Sequence, residues 1–95
     1  MNERYKEILL KILTKEFPNA KVYLFGSQAR GDVRVGSDID LAIQEAKPVA
    51  IDRIWKALAS IEETSVPYKI DLVDLENIPA NLKSNILKEG ILWKN

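Results

Sequence analysis

Two aspartates interrupt an apolar run in the segment SDIDLAI, residues 37–43. Because side chains alternate between the two faces of a strand, Asp38 and Asp40 are predicted to lie on one face, about 6.6 Å apart. Like charges about 4 Å apart repel by about 4 kcal/mol at an effective dielectric of about 20. A divalent cation turns that repulsion into attraction, so the pair predicts a metal site built from oxygen ligands. A pair that only caps nearby amides at a strand edge is the alternative.

The composition narrows the chemistry that such a site could perform. The 95 residues include no cysteine and no histidine, which excludes thiolate nucleophiles, imidazole bases and thiolate or histidine metal sites. Mg²⁺ is then the predicted ion, with Mn²⁺ as the alternative. The 14 basic and 14 acidic residues balance, whereas a dedicated nucleic-acid binder carries a basic excess. No apolar run approaches the roughly 20 residues of a membrane span, and the charged N-terminus predicts a cytoplasmic protein.

A third aspartate lies in a later apolar stretch, YKIDLVDL. Asp71 stands between Ile70 and Leu72. If its strand pairs with the strand of Asp38 and Asp40, Asp71 points at the same metal site. Two cations about 3.5–4 Å apart, bridged by such carboxylates, suit in-line phosphoryl transfer. Asp74 is the competing residue, but its place at a strand end before a loop favours a capping role. A solvated strand face is the other interpretation of Asp71.

A glycine and a serine precede the aspartate pair, at the predicted end of the strand KVYLF. Gly26 permits a tight turn and a close approach of the backbone, and Ser27 is placed to cap a short helix. Backbone N–H groups at such a turn attract phosphate. Arg30 could pair with phosphate oxygens, or with Asp32 or an aspartate of the site. Ser27 serving only as a helix cap is the other open interpretation.

The remaining pattern is that of one small α/β domain spanning residues 1–95. Apolar residues recur with helical spacing in three segments, and the apolar runs between them predict strands. We expect a mixed sheet of about four strands, covered by helices mainly on one face. The predicted strands are 21–25, 37–43, 68–74 and 91–94, with a short helix over 27–31. Trp55 falls on the apolar stripe of the second long helix and is predicted to be a core residue.

The sequence resembles the nucleotidyltransferase signature of the DNA polymerase beta superfamily. The likeness lies in Gly26-Ser27, in Ala29-Arg30-Gly31 and in Ser37-Asp38-Ile39-Asp40-Leu41, followed by Asp71 in the position of the third carboxylate. The order of helices and strands fits across nearly the whole chain. The short length is similar to that of the minimal branch of the superfamily, the MNT antitoxins. The resemblance therefore implies a polymerase beta-like nucleotidyltransferase fold.

The resemblance also implies an enzyme that binds ATP and two Mg²⁺ ions. Gly26 and Ser27 would hold the β- and γ-phosphates, and Arg30 would steady the triphosphate. The aspartate pair would bind the metal that carries the triphosphate. Asp71 would join the pair at the second metal and help to deprotonate the acceptor hydroxyl, which attacks the α-phosphorus as pyrophosphate leaves.

MNT antitoxins are typically paired with a HEPN toxin, an all-helical ribonuclease, which they neutralise by transferring AMP to a tyrosine near its active site. The resemblance thus implies a HEPN partner encoded nearby, and it allows a homodimer within a larger hetero-oligomer. An antitoxin that acts by binding alone, with a vestigial or nucleotide-holding site, is the alternative. Transfer to a small molecule or to an RNA end is a third interpretation. The intact set Asp38, Asp40 and Asp71 favours the enzyme.

Overall fold

The computed structural model describes residues 2–27, 29 and 38–95. These residues form three helices and four strands, with a short 3₁₀ turn after the third strand. The helices are α1 (Glu3–Glu16), α2 (Ile51–Glu62) and α3 (Ala80–Glu89); the strands are β1 (Lys21–Phe25), β2 (Ile39–Gln44), β3 (Ile70–Asp74) and β4 (Ile91–Lys94); the 3₁₀ turn is Leu75–Asn77. The short helix predicted over 27–31 falls almost entirely outside the described residues.

Two strands begin later than predicted, β2 at Ile39 and β3 at Ile70. The two residues form the first pair between these strands, and the N–H of Ile39 donates to the carbonyl of Lys69 at 2.9 Å. A segment is a strand only where a neighbouring strand pairs with its backbone hydrogen-bonding groups. The tertiary fold determines which residues find such a partner. The predicted starts at 37 and 68 were therefore wrong by two residues each.

The four strands form one mixed sheet in the order β3-β2-β1-β4. β1 runs antiparallel to both β2 and β4, whereas β2 and β3 are parallel. Parallel neighbours need a crossover connection, and α2 supplies it between β2 and β3. The predicted small α/β domain with a mixed sheet of four strands is confirmed.

One face of the sheet is covered by α1 and α2. The N-terminus of α1 is capped by Asn2, whose Oδ1 accepts from the N–H of Arg4 at 2.8 Å. Apolar side chains at alternate strand positions meet the two helices in the main core. Its fully buried members include Leu9, Leu13, Phe17, Val22, Ile39, Leu41 and Ile43.

The other face carries a smaller core beneath α3 and the 3₁₀ turn. Ala42, Leu75 and Ile86 are buried there, and Tyr23 and Phe25 of β1 pack against them. These strand residues alternate with those of the main core, as the pleat requires. Two of the three helices thus share one face, and α3 covers only part of the other.

Trp55 is not a core residue, contrary to the prediction, since 64% of its surface is exposed. The buried residues of α2 are Ile54, Ala57 and Ile61, which recur at helical spacing and face the sheet. Trp55 follows Ile54 by one residue, a rotation of about 100° around the helix. That rotation carries the indole out of the core and onto the surface.

Arg53 of α2 joins the end of β2 to the end of α1. Its guanidinium donates to both carboxylate oxygens of Glu45, at 3.3 and 3.1 Å, and to the carbonyl of Glu16 at 2.9 Å. The same group lies 4.9 Å from the centre of the Phe17 ring. A planar, five-donor group suits this three-way contact.

None of the three helices in the described ranges is long and apolar enough to cross a membrane. The longest is α1, with 14 residues, whereas a span takes about 20.

Candidate active site

Phe25, Asp40 and Asp71 form a row across three adjacent strands. Phe25 is the register partner of Asp40 in the antiparallel pair, and Asp40 is the register partner of Asp71 in the parallel pair. Residues paired in this way point to the same face, with strands about 4.8 Å apart. The structure therefore places Asp71 beside Asp40, as predicted, and both aspartates are half-buried.

Gly26 closes the row at the end of β1. Its φ is +76°, the left-handed conformation that side chains disfavour. A Cβ placed on Gly26 would overlap Oδ2 of Asp40 and lie 3.1 Å from its Cγ. Glycine is required here for two reasons, the backbone angle and the carboxylate that fills the space of a side chain. The predicted tight turn is confirmed.

The other predicted site residues lie around this row. Ser27 is half-buried in the turn directly after Gly26. Asp38 is exposed and lies immediately before the first residue of β2, so the strand itself does not fix its side chain on the face of Asp40. Arg30 lies outside the described residues.

The acidic side chains are the groups that could hold a cation. Within residues 2–27, 29 and 38–95, no three His, Cys, Asp or Glu side chains stand close enough to form a ready-made metal cluster. Asp40 and Asp71 come together through strand register, and Asp38 is one residue outside the strand. This oxygen-only pair fits a hard divalent ion, with Asp38 available as a third ligand if its side chain turns inward.

Asp74 has a structural role, as predicted. Its carboxylate accepts from the N–H of Val49 at 2.8 Å and from the N–H of Glu76 at 2.9 Å. The side chain is 7% exposed, and it caps the 3₁₀ turn while fixing the chain that leads into α2. Because its carboxylate is used in these two hydrogen bonds, Asp74 is not an alternative to Asp71 as a metal ligand.

An open cavity of about 200 Å³ adjoins Gly26 on the side of α3. The residues that line it include Phe25 and Ile86 and two polar residues of α3, Asn85 and Glu89. Sequence reasoning missed Asn85 and Glu89 as residues near the site. Their spacing of four positions puts them on one helix face, but only the packing of α3 against β1 brings that face to Gly26.

At the opposite end of β2, Glu76 forms a small polar cluster. Its carboxylate accepts from Nζ of Lys83 at 2.7 Å and from Nε2 of Gln44 at 3.0 Å. The hydrogen bond from Lys83 first, and that from Gln44 second, lower the pKa of Glu76 below its usual value of 4.5. This cluster ties α3 to the sheet and lies away from the aspartate row.

The row of aspartates beside a glycine turn has known counterparts. The family described as Polymerase beta, Nucleotidyltransferase matches residues 7–94. The chain belongs to this family. Its match spans the helices, the glycine turn and all four strands, so the whole described sheet is that of a nucleotidyltransferase. The enzyme class and the MNT branch follow from relatives within the family.

Two curated relatives are protein adenylyltransferases. The chain is 32% identical over 84 residues to the probable protein adenylyltransferase MntA of Haemophilus influenzae, covering 85% of this chain and 71% of that protein. It is 30% identical over 95 residues to the protein adenylyltransferase MntA of Shewanella oneidensis, covering 98% and 68%. The family member described here is thus a nucleotidyltransferase of the MNT antitoxin type, and an antitoxin acting by binding alone is not favoured.

A solved structure supports the same family assignment. The fold superposes with a TM-score of 0.81 on a crystal structure of a toxin–antitoxin with AMP-PNP, at 27% identity. The match covers 100% of this chain and 75% of the other.

Proposed function

We propose that this chain transfers AMP from ATP to a tyrosine hydroxyl of a HEPN ribonuclease toxin and thereby neutralises it. The observation that carries the proposal is the register row in which Asp40 and Asp71 meet beside Gly26. The names of the adenylyltransferase relatives, and the AMP-PNP in the toxin–antitoxin structure, support ATP and a protein acceptor. We place the reaction in the cytoplasm, where ATP is available.

Gly26 and Ser27 bind the triphosphate tail. The left-handed turn at Gly26 brings main chain, without a side chain, to the edge of the Asp40 carboxylate. Backbone N–H groups and the Ser27 hydroxyl can donate to the β- and γ-phosphates there. Arg30 adds a cation for the same phosphates.

Asp38, Asp40 and Asp71 are the residues that would hold two Mg²⁺ ions, with Mn²⁺ as the alternative. When bound, these ions neutralise the triphosphate and make the acceptor hydroxyl more acidic. Asp38 and Asp40 would hold the ion that accompanies ATP, and Asp71 of β3 would face the acceptor.

The transfer step is an in-line displacement at the α-phosphorus. The tyrosine oxygen forms the new P–O bond while the bond to the bridging oxygen of pyrophosphate breaks. Asp71 takes the phenolic proton, and pyrophosphate leaves with the electron pair. The chain's own contribution is to position these groups and to supply charge, so the absence of histidine is no obstacle.

The proposal is tested by incubating the chain with α-labelled ATP, Mg²⁺ and the HEPN toxin encoded beside it. We expect label on the toxin, loss of its ribonuclease activity, and loss of both effects in Asp40→Asn. Asp52→Asn, an exposed carboxylate on α2, is the matched control and is expected to behave as wild type. Neutralisation that survives Asp40→Asn, with no label transferred, would instead support an antitoxin acting by binding.

A further inference from the structure

The helix α3 lies beside the aspartate row, on the face of the sheet that carries Asp40. Two positions further along each strand, Tyr23, Ala42 and Val73 form the next register row on that face. Ile86 of α3 belongs to the small core that covers these three residues. One side of α3 therefore borders the proposed metal site.

An in-line transfer limits the direction in which the nucleoside projects from the site. The proposed function holds pyrophosphate at Gly26 after β1 and brings the acceptor to Asp71 on β3, so the axis of attack runs across the strands. The 5′-oxygen of the nucleoside is an equatorial substituent of the α-phosphorus, and it therefore projects at a right angle to that axis. Along the strands, one such direction leads to α3.

The cavity of about 200 Å³ beside Gly26 lies between the aspartate row and α3. Phe25, the register partner of Asp40, lines it, and so does Leu82, which is 40% exposed. Aromatic and aliphatic side chains of this kind pack against the faces of a planar ring. The described residues that line the cavity include no lysine or arginine, and Glu89 adds a negative charge. This lining favours an uncharged ring over an anion.

Two polar side chains of α3 complete the lining. Leu82, Asn85 and Glu89 are three and four positions apart, so they form one ridge of the helix. Asn85 and Glu89 are exposed, and neither side chain has a hydrogen-bond or ion-pair partner in the part of the chain that the structure describes. The carboxamide of Asn85 offers a donor next to an acceptor, whereas the ionised carboxylate of Glu89 only accepts.

Adenine presents the complementary groups. Its exocyclic amine donates next to a ring nitrogen that accepts, and an asparagine side chain pairs with this pattern through two hydrogen bonds. The second hydrogen of the amine is then available to the carboxylate of Glu89. Guanine and uracil carry a carbonyl oxygen in place of that amine, which a carboxylate would repel. Cytosine shares the amine, but its single ring covers less of the apolar lining.

We propose that this cavity is an adenine subsite and that Asn85 and Glu89 determine a preference for ATP over GTP and UTP. The ring lies between Phe25 and Leu82, with its amine toward Asn85 and Glu89. The inference rests on the proposed function for the direction in which the nucleoside projects, but nucleotide binding can be measured without toxin and without any transfer.

The test compares Asn85→Ala with Asn81→Ala, in the full chain. Asn81 is the matched control because it is an exposed asparagine of α3 that does not line the cavity. Dissociation constants for ATP, GTP, UTP and inorganic tripolyphosphate are measured with Mg²⁺ and without toxin. We expect wild type and Asn81→Ala to bind ATP about 10-fold more tightly than GTP or UTP, and Asn85→Ala to lose this preference. Binding of tripolyphosphate, which has no base, should be the same in all three proteins.

A second variant tests the sign of the discrimination. Glu89→Gln keeps an oxygen that accepts from the adenine amine and adds a donor for the carbonyl oxygen of guanine. We expect its affinity for GTP to rise while its affinity for ATP stays close to that of wild type. A Glu89→Gln protein with unchanged affinity for GTP would contradict the role of this carboxylate.

Label transfer to the toxin, measured separately, distinguishes the two proposals. A preference for ATP that depends on Asn85 upholds the subsite even if no label is transferred, and the missing label then overturns the transferase proposal alone. Label transfer with the same nucleotide preference in wild type and Asn85→Ala overturns the subsite and leaves the transferase proposal standing. A wild-type chain that prefers GTP, or that binds ATP no more tightly than tripolyphosphate, also overturns the subsite. Circular dichroism checks that the variants fold, as their exposed positions lead us to expect.

Discussion

The carboxylate of Asp40 occupies the space that a side chain at Gly26 would need. The contact crosses from the turn after β1 to the start of β2, and it couples the backbone angle of Gly26 to the position of a carboxylate in the proposed metal site. In the proposed function, the residue that binds phosphate and the residue that binds the cation are therefore in direct contact. A substitution of Gly26 should therefore reduce the rate of AMP transfer by more than its loss of folding stability alone would explain.

Gly26→Ala tests this coupling. We expect it to lower the free energy of unfolding by about 1–2 kcal/mol because of the left-handed backbone. Transfer should fall by about 100-fold or more, since a displacement of about 1 Å at a reacting group has such an effect. Gly90→Ala is the control: its Cβ would lie 2.5 Å from the carbonyl oxygen of Ile86, so it also destabilises, but away from the aspartates. Equal loss of activity per folded molecule in both variants would contradict the coupling.

Asp71 and Asp74 should separate catalysis from folding. Asp71→Asn removes the proposed proton acceptor and is expected to slow single-turnover transfer by about 10²–10⁴-fold while leaving stability nearly unchanged. Asp74→Ala removes the acceptor of two N–H groups and is expected to lower the free energy of unfolding by about 2–3 kcal/mol. Its activity should persist at temperatures where the variant is folded. Denaturant unfolding and rapid-quench kinetics measure the two effects; a stable, active Asp71→Asn would rule out the assigned role.

Divalent cations should stabilise the folded chain through Asp40 and Asp71. At 100 times the dissociation constant, a ligand that binds only the folded state adds about 2.7 kcal/mol. We expect Mg²⁺ or Mn²⁺ to raise the Tm of wild type, and Asp40→Asn to lose this response. Asp52→Asn, which alters an exposed carboxylate of α2, should keep it. A shift that is the same in all three proteins would point to nonspecific screening.

Glu76 makes stability depend on acid pH. Since Lys83 and Gln44 lower its pKa below 4.5, the carboxylate stabilises the fold above that pH, and the contribution is lost as the pH falls through the lower folded pKa. The difference in unfolding free energy between wild type and Glu76→Gln should therefore be present at pH 7 and should shrink below pH 4.5. Urea titrations across this range measure it, with Glu89→Gln as the control, because Glu89 is an exposed acid of α3, the helix that carries Lys83. A constant difference would exclude the linkage.

Much of the site could be predicted because its signals are local. An alternating strand pattern placed Ile39, Leu41 and Ile43 in the core and left Asp40 on the other face. Gly26 could be predicted because a tight turn before the aspartates calls for glycine. Asp71 was predicted to join the site only if its strand pairs with β2. The sequence does not show that pairing, and the register of β2 with β3 in the structure provides it.

The errors and omissions come from tertiary packing. The apolar pattern of α2 does not say which part of its wide apolar arc meets the sheet, so Trp55 was predicted to be buried and is exposed. Asn85 and Glu89 look like ordinary surface residues of α3 until that helix is laid against β1. The first residues of β2 and β3 differ from the prediction because strand pairing determines where the hydrogen bonds begin. The sequence indicates that pairing only weakly.

The parallel pairing of β2 with β3 has a kinetic consequence. Strands that run in the same direction cannot be joined by a hairpin, so Asp71 reaches Asp40 only after α2 has bridged them. Contacts between distant parts of a chain close late, because the entropy of the intervening loop is lost before any contact is gained. During synthesis Asp40 therefore leaves the ribosome well before Asp71. If Asp40 and Asp71 share a divalent cation as proposed, the nascent chain gains that site only once β3 has paired with β2.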